Sequence, residues 1–170
     1  MRSRTDFIEI AEATSAPLRE FAAYWRSKTS SARLPRPAAI DPMEIAHLLP
    51  CAVIAQIEPA PFRVRYRLVG TRLVEAHGGD YTGRYLDECG FLIEKELTAC
   101  YRRVVAERRP LFLYYEWERE GALRATGRIG ASETGFFPLS SDGETIDRVI
   151  SFADPNVAPR SGGSQRPSVR

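Results

Sequence analysis

Alternation of apolar and basic residues in the segment 62–69, FRVRYRLV, places the strongest restriction on what this chain can form. A period of two puts alternate side chains on opposite faces of a β-strand, whereas a helix would scatter them around its axis. The apolar face is expected to consist of Phe62, Val64, Tyr66 and Leu68. The other face consists of Arg63, Arg65 and Arg67. Because like charges repel, we interpret this basic face as a solvated surface or a docking site for an acidic partner.

Other segments extend this strand to a sheet that is interrupted by a helix. The apolar segment 51–58 precedes it across a Pro-Ala-Pro turn, which predicts a hairpin. Three later segments, 111–118, 128–139 and 145–153, have strand-like composition or alternation. The segment 92–108 has one apolar face at helical spacing. The predicted order is two strands, a helical crossover and three further strands.

Two helices are predicted ahead of the first strand. In the segment 16–28, Leu18, Phe21 and Trp25 form one apolar stripe behind Ser15, a suitable N-cap. This stripe could pack on its own domain or on a second copy of the chain. A short helix is expected in DPMEIAHLLP, the segment 41–50, because Asp-Pro-x-Glu is a helix-start signature and the final proline limits its length.

Composition predicts one cytoplasmic domain and excludes several function classes. A chain of 170 residues that is 44% hydrophobic can bury a core of its own, and its net charge of +2 does not call for nucleic acid. No apolar run approaches the ~20 residues that span a bilayer. Cys51, Cys89 and Cys100 are an odd number at wide spacing, which argues against a disulfide framework and a zinc site.

Several local words in the sequence are similar to those of one family. They are YWRS, LPRPAAIDPMEIAHLLP, VRYRLVGT, GGDYTGRYLDE, CYRRVVAERRP and PLSSDGETID, within residues 24–152. Together they resemble the PAS domain, in particular stand-alone single-domain bacterial PAS proteins of alphaproteobacterial type. The resemblance implies an α+β fold with a five-stranded antiparallel sheet of order 2-1-5-4-3, helices on one face and an extra N-terminal helix. We expect an N-terminal helix and connector in 1–39, the PAS domain in 40–154 and a disordered basic tail in 155–170.

The glycine-rich segment 78–84, GGDYTGR, is interpreted as a turn in the crossover of the PAS fold. It lacks the final acid and aromatic residue of a diguanylate cyclase signature, and the chain has no Walker phosphate loop. No Ser/His/Asp set or metal-ligand cluster can be assembled, so no enzyme is predicted. Of the cofactors that PAS domains carry, haem would need His47 or His77, and a light-reactive flavin would need Cys89. Each of the three residues also has an ordinary structural interpretation, and no cofactor or metal is predicted.

The resemblance implies a sensory module that binds a small molecule, a protein partner or both, and that pairs with a second copy. The candidate cavity residues are Tyr66, Leu68, Tyr101, Tyr115, Trp117, Arg128 and Phe136. The candidate interface residues are Leu18, Phe21 and Trp25. The alternative is a structural interaction module whose aromatic side chains fill the cavity, and a haem or flavin sensor is a further alternative. A signalling protein is a possible partner, whereas membrane and nucleic acid are not expected partners.

Overall fold

A computed structural model gives the fold of residues 3–30, 33–91, 93–118 and 129–160. Its centre is a six-stranded antiparallel sheet of order β1-β4-β5-β6-β2-β3. The strands are β1 (Ser3–Ile8), β2 (Ala52–Pro59), β3 (Phe62–Val69), β4 (Leu111–Glu118), β5 (Ile129–Leu139) and β6 (Arg148–Asp154). The helices are α1 (Ala16–Ser27), α2 (Thr71–His77) and α3 (Glu94–Glu107). No helix within these four ranges is long and apolar enough to cross a membrane.

The sheet has one strand more than the five that we expected. The run β3-β2-β6-β5-β4 has the expected order 2-1-5-4-3, and β1 adds a strand beside β4. The segment Ser3–Ile8 reads SRTDFI, in which two apolar residues are adjacent and no period-two pattern develops. Its strand conformation is therefore fixed by hydrogen bonding to the edge of β4, which local sequence patterns do not reveal.

Helix α1 covers the face of the sheet opposite to α2 and α3, so the sheet separates two apolar cores. The stripe Leu18, Phe21 and Trp25 is buried, with 0%, 0% and 7% of each residue exposed. The Phe21 ring lies 4.9 Å from that of Phe137, and the Trp25 indole donates a hydrogen bond to the Pro138 carbonyl at 3.1 Å. Of the two packing arrangements considered for this stripe, the structure shows the one within its own chain.

The segment 41–50 does not form the regular helix that we expected. Residues 42–48 are turns, and a 3-10 helix follows at Leu49–Cys51. The Asp41 carboxylate accepts a hydrogen bond from the Met43 amide at 2.9 Å, as a helix-start residue would. The stretch before Pro50 is too short for i→i+4 hydrogen bonds to accumulate, so the cap is present without a helix behind it.

Residues 155–160 lie against the sheet, although we expected the chain to lack folded structure from Pro155 onward. Val157 packs on the core beneath α1. The Arg160 guanidinium donates to the Glu12 carbonyl at 2.7 Å and to the Glu133 carboxylate at 2.9 Å. The rest of the predicted tail, 161–170, lies outside the described residues.

Candidate functional site

A cavity of about 460 Å³ lies between the sheet and the elements that cover its α3 side. Strands β4, β5 and β6 form its floor, together with parts of β2 and β3. Helix α2, helix α3 and the segment 81–91 between them form its walls. Binding pockets for drug-sized molecules commonly measure ~300 to 1,000 Å³, so the space is large enough for a small molecule.

Strand alternation determines which side chains reach the cavity floor. In β5, Ser132, Thr134 and Phe136 face the cavity, whereas Glu133 and Gly135 between them face Ser15 and Leu18 at the start of α1. In β6, Ser151 and Ala153 face the cavity in the same way. Because their small side chains occupy adjacent strands, the floor is open where larger residues would have filled it.

Five of the seven candidate cavity residues line this space: Tyr66, Tyr101, Tyr115, Trp117 and Phe136. Arg128 lies outside the described residues. Leu68 does not line the cavity and is 42% exposed.

A β-bulge explains why Leu68 lies outside the cavity. Tyr66 is paired with Ala55 and Leu68 with Ile54, so Arg67 is an extra residue on β3. The inserted residue reverses the alternation beyond it. Val69, not Leu68, therefore lines the cavity, and strict period-two reasoning does not detect such an insertion.

Three rings line the wall opposite the floor, and sequence reasoning did not assign any of them to a cavity. Tyr81 and Phe91 pack edge to face, with their centroids 4.8 Å apart. The His77 ring lies 5.3 Å from that of Phe91. Tyr81 in GGDYTGR could have indicated this wall, because the resemblance placed that segment in the crossover of the PAS fold.

The glycine-rich segment is a structural connection that positions this wall. Gly78 has φ 74° and ends α2 in the left-handed conformation that favours glycine. Gly83 has φ 87°, and its amide donates to the Tyr66 carbonyl at 2.7 Å. Tyr66 in turn donates its amide to the Arg84 carbonyl at 2.9 Å, so the segment is fixed along the edge of β3 and holds Tyr81 in place.

The basic face of β3 stabilises the same connection. The Arg63 guanidinium lies 2.8 Å from the Asp87 carboxylate and 3.0 Å from that of Glu88, and it stacks 3.5 Å from the centre of the Tyr85 ring. Arg65 donates to the Gly83 carbonyl at 3.1 Å. Two of the three arginines of this face thus bind the crossover of their own chain, which reduces the repulsion between them.

The ionisable groups of the cavity favour neutral forms. Burial raises the pKa of Tyr66 and raises that of Tyr101 to about 12. Burial also raises the pKa of the Cys89 thiol to about 11, and this thiol donates to the Tyr85 carbonyl at 3.1 Å. His77 stands at the mouth of the cavity, where partial burial lowers its pKa. At neutral pH these four side chains are uncharged.

Two of the three side chains that a haem or a light-reactive flavin would need line the cavity. His77 and Cys89 are in its wall, whereas His47 is exposed and pairs with Glu20 at 2.7 Å, away from it. Among the described residues there is no group of three or more His, Cys, Asp or Glu side chains that could hold a metal ion. In this wall, His77 is the side chain that could bind the iron of a haem. Cys89, as a protonated thiol, is the side chain that a flavin would contact.

Comparison with known proteins gives one match. A family model described as PAS domain matches residues 13–151, which is most of the chain. No curated protein and no solved structure matches. The matched residues include α1, strands β2 to β5 and β6 as far as Ser151, and thus all of the described cavity lining except Ala153 and Pro155. The chain belongs to the PAS domain family.

Proposed function

We propose that this chain is a sensory module that binds a small molecule in the cavity between its sheet and α3. PAS domains are in general non-catalytic modules of sensing and regulation. The observation that supports ligand binding is the volume of about 460 Å³, which lies within the range for small-molecule pockets. A bound molecule would touch β5 and β6 on one side and α2 and α3 on the other, so it could alter how these elements pack.

The alternative of a purely structural interaction module requires a cavity filled by its own side chains. Six large residues could fill such an interior: Phe62, Tyr66, Tyr101, Tyr115, Trp117 and Phe136. Of these, Tyr66, Tyr101 and Phe136 are buried, but they lie at the cavity boundary and leave the floor between Ser132 and Ser151 open. The volume therefore favours ligand binding over a filled interior.

Self-association and a signalling partner are further parts of this proposal. The stripe Leu18, Phe21 and Trp25 is buried against β5 and β6 of the same chain and is not accessible to a second copy. A dimer would therefore have to use another surface. Trp25→Asp, which would separate copies if this stripe were the interface, is instead expected to unfold the domain.

Two variants, each with one alanine replaced by the larger leucine, test where a small molecule binds. Ala153 lines the cavity, and Ala153→Leu would fill part of it, whereas Ala106 is exposed on α3 and Ala106→Leu is the matched control. Thermal unfolding of both variants and the wild type is measured against a library of small molecules of mixed charge. We expect compounds that raise the Tm of the wild type and of Ala106→Leu but not of Ala153→Leu. The proposal fails if no compound stabilises the wild type, or if compounds stabilise both variants equally.

A further inference from the structure

We infer that the cavity selects an uncharged, flat aromatic molecule that carries a hydroxyl or carbonyl group. This inference rests on the proposed function, because it names the class of ligand for the same site. Three features of the described lining support it: the absence of charged side chains, the stacked rings along one strand, and the hydroxyl groups on the floor without partners.

The first feature is the absence of charge in the described cavity lining. None of the described lining residues is Lys, Arg, Asp or Glu. His77 is the one described lining residue that could carry a positive charge near neutral pH, and it is at the mouth with a lowered pKa. The Arg84 guanidinium lies 5.9 Å from the centre of the Tyr81 ring, but Arg84 is not among the described lining residues. An ionised carboxylate or phosphate would have to leave water without a counter-charge from these residues, which is costly.

The second feature is the arrangement of rings along β4. Tyr115 and Trp117 are successive residues on the cavity face, and their rings are nearly parallel, at 17° with centroids 5.3 Å apart. Trp117 pairs directly with Gly130 on β5. A Cβ atom at Gly130 would lie 2.5 Å from the indole, so the ring lies directly against the glycine backbone. The absence of a side chain at this position therefore allows a flat aromatic surface beside the cavity.

Aromatic groups also line the opposite wall, where Tyr81 and Phe91 are in edge-to-face contact. A planar molecule between these walls could stack on one and meet ring edges of the other. Such aromatic pairs are favourable beyond the burial of their area, and a saturated molecule of the same size cannot gain this contribution.

The third feature is a set of hydroxyl groups on the cavity floor. The Ser151 hydroxyl is 3.4 Å from that of Tyr101. Ser132 and Thr134 also line the cavity, and within the described ranges neither hydroxyl has a hydrogen-bond partner in the protein. They can therefore serve a neutral polar group of a ligand as donors or acceptors. A molecule without such a group would cover them and leave them unsatisfied.

Isothermal titration of the full chain with three molecules of one ring system tests this inference. The probes are 2-naphthol, 2-naphthoate and decahydro-2-naphthol, and at about pH 7.5 only the second is charged. We expect 2-naphthol to bind at least tenfold more tightly than 2-naphthoate and at least threefold more tightly than decahydro-2-naphthol. Thr134→Val should weaken the binding of 2-naphthol at least threefold. The matched control Thr71→Val, at an exposed position on α2 outside the cavity, should leave it unchanged.

Each contrary result rejects a named part of the inference. Equal binding of 2-naphthoate overturns the exclusion of charge, and equal binding of decahydro-2-naphthol overturns the selection for aromatic rings. An unchanged affinity of Thr134→Val overturns the role of the floor hydroxyls, and no binding of 2-naphthol overturns the ligand class. The proposed function survives these results if the library yields other compounds that Ala153→Leu excludes. It fails with the inference if the library yields none.

Discussion

Glu133, on the α1 face of the sheet, connects the residues that precede α1 with a residue that follows β6. Its side chain is fully buried in β5 and accepts hydrogen bonds from the Thr14 and Ser15 amides, each at 2.8 Å. The Arg160 guanidinium forms an ion pair with the same carboxylate at 2.9 Å. The carboxylate therefore sits at the N-terminal end of α1, where negative charge is favourable, and it has a basic partner from the last described residue.

These contacts predict the pH dependence of stability. Burial raises the pKa of Glu133, but the hydrogen bonds from Ser15, Thr14 and Arg160 outweigh it, and the net pKa is below the ordinary 4.5. A lowered folded-state pKa means that the stabilisation is present above pH 4.5 and is lost as the pH falls through the lower folded value.

Glu133→Gln should lower the free energy of unfolding by about 2 kcal/mol at neutral pH, because it removes charge from hydrogen bonds that are buried. It should also flatten the loss of stability below pH 4.5. Urea unfolding at several pH values measures both, with the exposed Glu75→Gln as the control. The explanation is wrong if the variant and the wild type lose stability in parallel as the pH falls.

At the scale of elements, α1 contributes to the core of the domain and is more than an appended helix. Phe21 is fully buried, with its ring 4.9 Å from Phe137 and 5.6 Å from Phe152. Ser15 accepts a hydrogen bond from the Leu18 amide and caps the helix, as its position in the sequence predicted. The helix should therefore not separate from the sheet without a large loss of stability.

Phe21→Ala should lower the free energy of unfolding by about 3 to 5 kcal/mol, which is typical when a buried aromatic ring is removed. Met43→Ala is a suitable comparison, because Met43 is 84% exposed and its truncation should change stability by less than about 0.5 kcal/mol. Urea unfolding of both variants measures the difference. A small effect of Phe21→Ala would show that α1 is not part of the cooperative unit.

The strands and the cavity wall also show which parts of the fold sequence patterns can predict. Alternation and strand-like composition predicted five strands, and the resemblance to the PAS domain implied their order. Strand β1 was missed because its conformation depends on the edge of β4. Leu68 was assigned to the wrong side because the bulge at Arg67 is a pairing property of two strands. The wall formed by Tyr81 and Phe91 depends on how the crossover folds over the sheet, which no local period encodes.

At the scale of the whole molecule, the sheet separates two regions that are packed differently. The α1 side is packed with large apolar residues, whereas the other side contains a cavity whose floor has small hydroxyl residues. A ligand that binds the folded state would stabilise it by mass action, by about 2.7 kcal/mol at one hundred times its Kd.

The central claim is that the cavity holds a small molecule. Native mass spectrometry of freshly purified protein, with an absorption spectrum of the same sample, tests it most directly. We predict extra mass on the order of a few hundred daltons per subunit, typical of a ligand for a pocket of this size, that is lost when the protein is denatured. Visible absorption would direct attention to a haem or a flavin beside His77 or Cys89. The bare subunit mass, with no absorption beyond that of the protein, would contradict the claim and favour an interaction module without a ligand.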